Sequence, residues 1–348
     1  PNALLRVPAW IASRNGITGC WTLTINVWLG AGQGVETLST VAESRVAHAR
    51  ALGVSVNDQS GSSLLSECGE PLETQDGWCT RVIEAKKACD SRILRKVVMA
   101  RAVRHGLMAR QGWDVAGTWL NLIGRESACN TFAFFREGQV FMGATPESLL
   151  EVRDGVLKTH ALAGTAPRGD DQTSDNELGR ALLGSPKDLD EHEVVVRDIA
   201  DTLAPWCEGV LVDHKPKLRM LDRLQHLETR ISAQVRRDIS LLALTAALHP
   251  TPALAGAPRE AALTWLQDHE VLARGWFGGV LGCIDAQGEG EAWVSIRSAL
   301  LHSTEAWVFA GAGIVKASDP VAEWWETALK LRTMETALRY VTSGTVNA

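Results

Sequence analysis

The chain has 348 residues, 45% of them hydrophobic and 22% charged, a composition expected of a soluble globular protein long enough to bury a sizeable core. Its formal net charge of −6 argues against nucleic acid or an anionic membrane as the main partner. Seven scattered cysteines without a C-x-x-C pair suit neither a disulfide framework nor a zinc site, and point to a reducing, cytoplasmic setting with most thiols buried. No apolar run reaches transmembrane length, and the N-terminus lacks a basic-then-apolar leader pattern.

Residues 1–90 give mixed signals: a strand over 20–29, a helix around 40–52, then a turn-rich stretch from 57 to 77. From residue 91 the pattern sharpens. Residues 96–103 read as a strand. Segments 130–136 and 139–144 flank Glu137-Gly138, and 149–153 and 156–161 flank Asp154-Gly155, both hairpin signals. Residues 188–206 and 241–248 read as amphipathic helices. Strands return at 278–285, 292–300 and 307–315, joined by short turns. A final helix follows Ser318-Asp319-Pro320, where Ser or Asp can cap and Pro fits the first turn. Meanders broken by isolated helices indicate an α+β fold with antiparallel sheets. No glycine-rich nucleotide-binding pattern follows a predicted strand.

The final helix carries Glu323, Glu326 and Lys330 on one face, beside an apolar stripe of Val321, Trp324, Ala328, Leu331 and Leu338. Asp188 and Glu191 open the helix after Ser185-Pro186, with His192 next in line. Each acidic pair alone suits a solvated face or complements a helix dipole. Two such pairs on separate helices could instead converge on a hard cation, because carboxylates, water and an anionic substrate are the ligands Mg²⁺ takes. Arg297 reads as mid-strand among apolar neighbours. The next strand ends in Phe309-Ala310-Gly311-Ala312-Gly313, where glycines would let backbone N–H groups approach an anion. An arginine fork matches a carboxylate, though a structural arginine beside a glycine bulge fits equally well. Lys96 opens an otherwise apolar strand and Glu147 follows Pro146 just past another. They could serve as base and acid across a substrate, or form a surface ion pair.

At these residues the sequence resembles the chorismate-utilising enzyme family. The matching segments run in family order: KVVMAR at Lys96, GATPESLL at Gly143, HALAGTAPRG at His160, SPKDLDEHEVVV at Ser185, QHLETRI at Gln225, LHPTPALAG at Leu248, WVSIRSAL at Trp293, FAGAGIVKASDP at Phe309 and EWWETALKL at Glu323. The resemblance implies an α+β fold, a single large domain (1–348) of two stacked antiparallel β-sheets flanked by helices. Residues 1–90 match weakly and 91–340 form the catalytic region. It also implies that Glu191 and Glu326 bind Mg²⁺, with Asp188 and Glu323 holding metal waters. The ion would grip the ring carboxylate of chorismate. Arg297 and the backbone near Gly311 and Gly313 would take the enolpyruvyl carboxylate, and Lys330 would add positive charge. Gly164 and His226 would line the substrate, with Ala253, Leu254, Phe277, Ile296 and Phe309 around the ring.

Within the family, a lysine at position 96 favours water over ammonia as nucleophile, and the 248–254 segment is similar to isochorismate synthases. The implied reaction converts chorismate to isochorismate: Lys96, if neutral, deprotonates water attacking C2, while Glu147, if protonated, donates to the departing C4 hydroxyl. Desolvation would move both groups toward neutrality. A salicylate synthase, which goes on to eliminate pyruvate, and a catalytically silent chorismate-binding relative are the alternatives. A monomer is expected, acting in menaquinone, siderophore or salicylate biosynthesis.

Overall fold

A computed structural model of the chain describes residues 10–14, 21–25, 62–65 and 69–342. The chain divides into two units, Pro1–Ser60 and Gly61–Ala348. In the first, β1 (Trp10–Arg14) pairs antiparallel with β2 (Trp21–Ile25), which lies within the strand predicted over 20–29. The helix predicted at 40–52 lies outside the described residues.

The second unit begins with β3 (Ser62–Leu64), β4 (Glu70–Pro71), α1 (Gln75–Asp90), β5 (Lys96–Gly106), β6 (Gln111–Trp113) and α2 (Val115–Arg125). Two hairpins follow, β7 (Asn130–Arg136) with β8 (Gln139–Thr145), then β9 (Ser148–Arg153) with β10 (Val156–Pro167). Their turns carry the positive φ angles that two-residue hairpins need, 51° and 78° at Glu137-Gly138 and 52° and 72° at Asp154-Gly155. Helices α3 (Gln172–Gly184) and α4 (Pro186–Leu203) precede β11 (Cys207–Val212), β12 (Lys217–Met220) and β13 (Leu224–Val235). Then come α5 (Leu241–Leu248), β14 (Gly256–Ala257), α6 (Arg259–His269), β15 (Val280–Ile284), β16 (Gly290–Val294), β17 (Ser298–His302) and β18 (Glu305–Ile314). The described chain closes with α7 (Pro320–Glu335) and β19 (Arg339–Thr342).

These strands form two seven-stranded sheets and a small one. The first sheet runs β11-β13-β10-β9-β16-β15, with β12 also on β13. The second runs β14-β5-β18-β17-β8-β7, with β4 also on β5, and β3-β19-β6 form the third. The unit is α+β, with stacked antiparallel sheets flanked by helices. Helices α4 and α5 bury Val195, Ile199, Leu203 and Leu244 against the first sheet. On the second, α2 and α7 bury Leu122, Leu331 and Met334, while α1 and α6 cover Val97 and Met99 with Trp78, Val82 and Leu266. Each large side chain so buried contributes about 1.5–3 kcal/mol. A fourth cluster, centred on Phe132, Phe141, Phe277 and Phe309, adjoins the site.

One sequence expectation is overturned where it matters most. The strand predicted over 292–300 is two strands in two different sheets, β16 and β17, and Arg297 sits in the break with φ 50°. No glycine, proline or turn pair marks this crossing in the sequence, and both flanking strands are largely buried. Residues 145–147 make the reverse crossing between β8 and β9. The two crossings are tied by Ala144 N–H donating to Arg297 O at 3.1 Å and Val294 N–H donating to Glu147 O at 3.0 Å.

Helices α1, α2, α3 and α6 were not anticipated. The first three start at short polar caps, Thr74, Asp114 and Asp171, inside turn-rich segments, and α6 has no side-chain cap. In α7 the buried stripe is Glu323, Thr327 and Leu331, whereas Val321 is exposed and Leu338 lies beyond the helix. The five described cysteines are free: Cys89 and Cys207 are buried, Cys79 and Cys129 half-buried, and Cys283 exposed, so burial is less general than expected. Among the described residues no helix is long and apolar enough to cross a membrane.

Candidate active site

The two crossings, the start of β5, the end of β18 and the facing ends of α4 and α7 enclose a cleft of roughly 720 Å³ including its mouth. On β5 the two-residue period turns Lys96 and Val98 toward the cleft and Val97 and Met99 into the core. On α4, Glu191 heads the stripe that continues into buried Val195 and Ile199, so its carboxylate points inward. Lys96 Nζ meets Glu191 Oε1 at 2.8 Å, and the lysine is 1% exposed. Gly313 makes room for that pair, because a Cβ there would collide with Glu191 Oε1 and with Lys96 Cε.

Opposite, a β-bulge between Ala163 and Thr165 leaves Gly164 out of the β10–β13 ladder at φ 78°. Asp188 Cβ and a Leu227 methyl lie 3.2 Å from where a Gly164 Cβ would stand. Thr165 is paired with His226 in the ladder and touches its Nδ1 at 3.1 Å; Gly164 O lies 3.2 Å from the same nitrogen. Arg297 Nη2 is 3.0 Å from His226 Nε2. A guanidinium offers only donors, so Nε2 accepts and the imidazole proton resides on Nδ1. Burial, then Arg297 and Lys330, push this histidine down to about 3, keeping it neutral. The pairing aims Arg297, which is 6% exposed, across the cleft.

Glu147 is 7% exposed. Burial raises its carboxyl to about 7 against the opposing pull of Lys96, Arg297 and Lys330. At the far end, Lys330 Nζ donates to Gly311 O at 2.9 Å and to Glu326 at 2.6 Å. Burial works to raise Glu326, but the charge and hydrogen bond of Lys330 hold it below the ordinary carboxylate range.

The structure therefore brings Lys96, Glu147, Gly164, Glu191, His226, Ala253, Leu254, Ile296, Arg297, Phe277, Gly311, Gly313, Glu326 and Lys330 to one cleft. Phe309 stands behind its wall, stacked on Phe277 with ring centroids 5.4 Å apart. Asp188 and Glu323 also lie behind the lining: Ser185 donates to Asp188, and Lys187 pairs with Glu323 at 2.7 Å. His192 is structural, held by Thr229 at 2.7 Å and Ala163 O at 3.2 Å. Sequence reasoning missed Thr165, although it stands beside Gly164 in a segment already singled out. It also missed Arg274, which reaches the cleft from the 270–279 loop; its one signal is a glutamate four residues earlier.

The acidic end has the chemistry of a hard-cation site. Burial raises Glu323 to about 7, and the negative charges of Glu326 and Glu191 add to the effect. Burial likewise raises Asp188, with Glu191 and Glu326 contributing. Lys96, Lys187 and Lys330 pair with three of the four carboxylates that α4 and α7 bring together, and a divalent cation would share in neutralising them. Among the described residues no three His, Cys, Asp or Glu side chains close a metal shell by themselves. Glu191 and Glu326 reach the cleft, and an ion held by two carboxylates would complete its coordination with water and substrate oxygens, as Mg²⁺ commonly does.

A family model described as chorismate binding enzyme matches residues 1–339, so the match includes the first 90 residues, where the sequence alone showed little. The salicylate biosynthesis isochorismate synthase of Pseudomonas aeruginosa is 41% identical over 75% of this chain and 54% of its own length. The isochorismate synthase MenF of Bacillus subtilis is 34% identical over 91% of this chain and 66% of its own. The chain thus spans about half to two thirds of the length of these relatives. The solved structure of the menaquinone-specific isochorismate synthase MenF from Escherichia coli superposes with a TM-score of 0.78 at 29% identity, covering 94% of this chain and 74% of that one. With fold, cleft and sequence in agreement, the chain belongs to the chorismate-binding enzyme family.

Proposed function

We propose that the chain is an isochorismate synthase that adds water at C2 of chorismate as the C4 hydroxyl departs, with Mg²⁺ as cofactor. The observation that carries this reading is the presence of Lys96 and Glu147 in one cleft, with burial holding the Glu147 carboxyl near neutrality. Glu147 then offers a proton to the leaving hydroxyl, and Lys96, which pairs with Glu191, would take one from the attacking water only as the neutral amine. Arg297, oriented by neutral His226, presents donors to one substrate carboxylate. Glu191 and Glu326 are the residues that would hold Mg²⁺, which would anchor and neutralise the other. Ala253, Leu254, Phe277 and Ile296 would pack on the ring and exclude bulk water other than the attacking molecule.

The test is incubation of the purified chain with chorismate, with and without Mg²⁺, and chromatographic identification of products. Isochorismate formed only with the metal is expected. Salicylate with pyruvate would identify a salicylate synthase, and bound but unchanged chorismate a silent binding protein.

A further inference from the structure

On its β14 side, strand β5 has a gap in its pairing. Strand β14 covers only Lys96 and Val97, and Ala255 O extends that edge to Val98 N–H at 2.8 Å. Pairing resumes at Ala102 O, which accepts from Leu72 N–H at 2.9 Å. Between them, Val98 C=O and Ala100 N–H would be left open on the strand that carries Lys96. Two side chains fill the gap. Glu270 accepts from Ala100 N–H at 3.0 Å, and Arg274 Nη2 donates to Val98 O at 2.7 Å. Acceptor and donor stand where a neighbouring strand would have placed its own.

The two side chains also grip each other as a fork. Arg274 Nε and Nη2 reach the two Glu270 oxygens at 2.6 Å each. The remaining terminal nitrogen, Nη1, donates to Leu254 O at 2.9 Å. In the same loop, Phe277 N–H donates to Arg274 O at 2.9 Å. Arg274 therefore joins three parts of the cleft: its guanidinium reaches the strand of the assigned base and the Leu254 wall, and its main-chain carbonyl holds the Phe277 wall. None of these bonds is to a group assigned to substrate or metal.

We propose that Arg274, gripped by Glu270, is a positioning residue that fixes the separation between the Leu254–Phe277 wall and the strand bearing Lys96. The proposal rests on the isochorismate synthase reading for its kinetic consequence, and on hydrogen bonding alone for the brace itself. Loss of the brace lets the ring sit at variable distance from Lys96, which lowers the rate of reaction more than substrate affinity. Lysine at position 274 keeps the charge opposite Glu270 and one carbonyl contact, but it cannot span all three sites.

The experiment compares wild type with Arg274→Ala, Arg274→Lys and Glu270→Gln by steady-state kinetics per folded protein, and by amide exchange across residues 96–104. Arg274→Ala is expected to lower kcat about 10- to 100-fold with KM changed by less than about threefold, and Arg274→Lys to recover part of the loss. Ala100 N–H should exchange at least about tenfold faster in Arg274→Ala. Should Arg274→Ala fail to fold, Glu270→Gln, which keeps an acceptor for Ala100 but weakens the fork, carries the test with the same signs and smaller size. A kcat within about twofold of wild type, or a rise confined to KM, overturns the positioning role. If wild type itself leaves chorismate unchanged, the functional reading has failed, and the exchange data alone decide the brace: unaltered protection at Ala100 overturns it.

Discussion

A carboxyl keeps its proton near pH 7 only where water is scarce and compensating cations are not dominant, and Glu147 is so placed. Two consequences follow at the residue scale. The acid form is present below about 7, so this group makes kcat fall as pH rises past that value. Its folded pKa also lies above the ordinary 4.5, so the native state binds the extra proton. The stabilisation from that proton is complete below about 4.5 and is lost as pH rises to about 7. Glu147→Gln should therefore abolish turnover yet stabilise the fold at pH 8 and not at pH 4, by a free energy on the order of 3 kcal/mol that shows as a higher thermal midpoint. An equal midpoint shift at both pH values would contradict this. For Lys96, alanine is a poor probe, because it strands the buried Glu191 carboxylate at a cost of about 3–5 kcal/mol. Lys96→Gln keeps a donor for Glu191 and removes the amine. It should fold normally by circular dichroism and lose turnover, and a near-normal rate would remove Lys96 as the base.

At the scale of elements, the site depends on how α7 and β18 are held. Asp319 caps α7 by accepting from Val321 and Ala322 N–H at 3.0 and 2.8 Å. Asp319→Ala should cost about 1 kcal/mol in denaturant unfolding. Gly313→Ala should act differently: the backbone of β18 has no reason to object, but the added methyl displaces the Lys96–Glu191 pair. Activity should fall far more than the thermal midpoint, whereas a proportionate fall in both would locate the damage in the sheet. The two hairpins were legible because Glu137-Gly138 and Asp154-Gly155 encode their own turn geometry. Helix α7 was legible through its Asp319-Pro320 start. The break at Arg297 was not, since local pattern distinguishes buried from exposed but not one buried sheet from another. Arg274 was hidden for a related reason: its partners are main-chain groups of Val98 and Leu254, and main-chain groups leave no trace in side-chain pattern.

At the scale of the whole molecule, binding and folding are linked. Chorismate or an analogue that fills the cleft should stabilise the chain by about 2.7 kcal/mol at a hundredfold excess over its Kd. If Glu191 and Glu326 share a metal with the ligand, Mg²⁺ and chorismate together should raise the thermal midpoint by more than the sum of their separate effects. Glu326→Gln should remove that excess, and simple additivity in the wild type would argue against a shared ion. Most of the candidate site was readable only as a family resemblance, because its members come from strands and helices distant in sequence. The acidic pairs on α4 and α7 each read alone as a solvated face, and only the fold brings Glu323 within reach of the charges of Glu326 and Glu191.

The paired crossings near Glu147 and Arg297 bear on how the molecule could be taken apart. The turn at 285–287 is exposed. A cut there leaves Lys96, Glu147 and Glu191 on one fragment, and Arg297, Glu326 and Lys330 on the other. Neither fragment holds a working half of the cleft, and the main-chain bonds joining the crossings would have to re-form between separate pieces. Turnover would then report fragment reassembly, making the chain a natural candidate for a split-enzyme sensor.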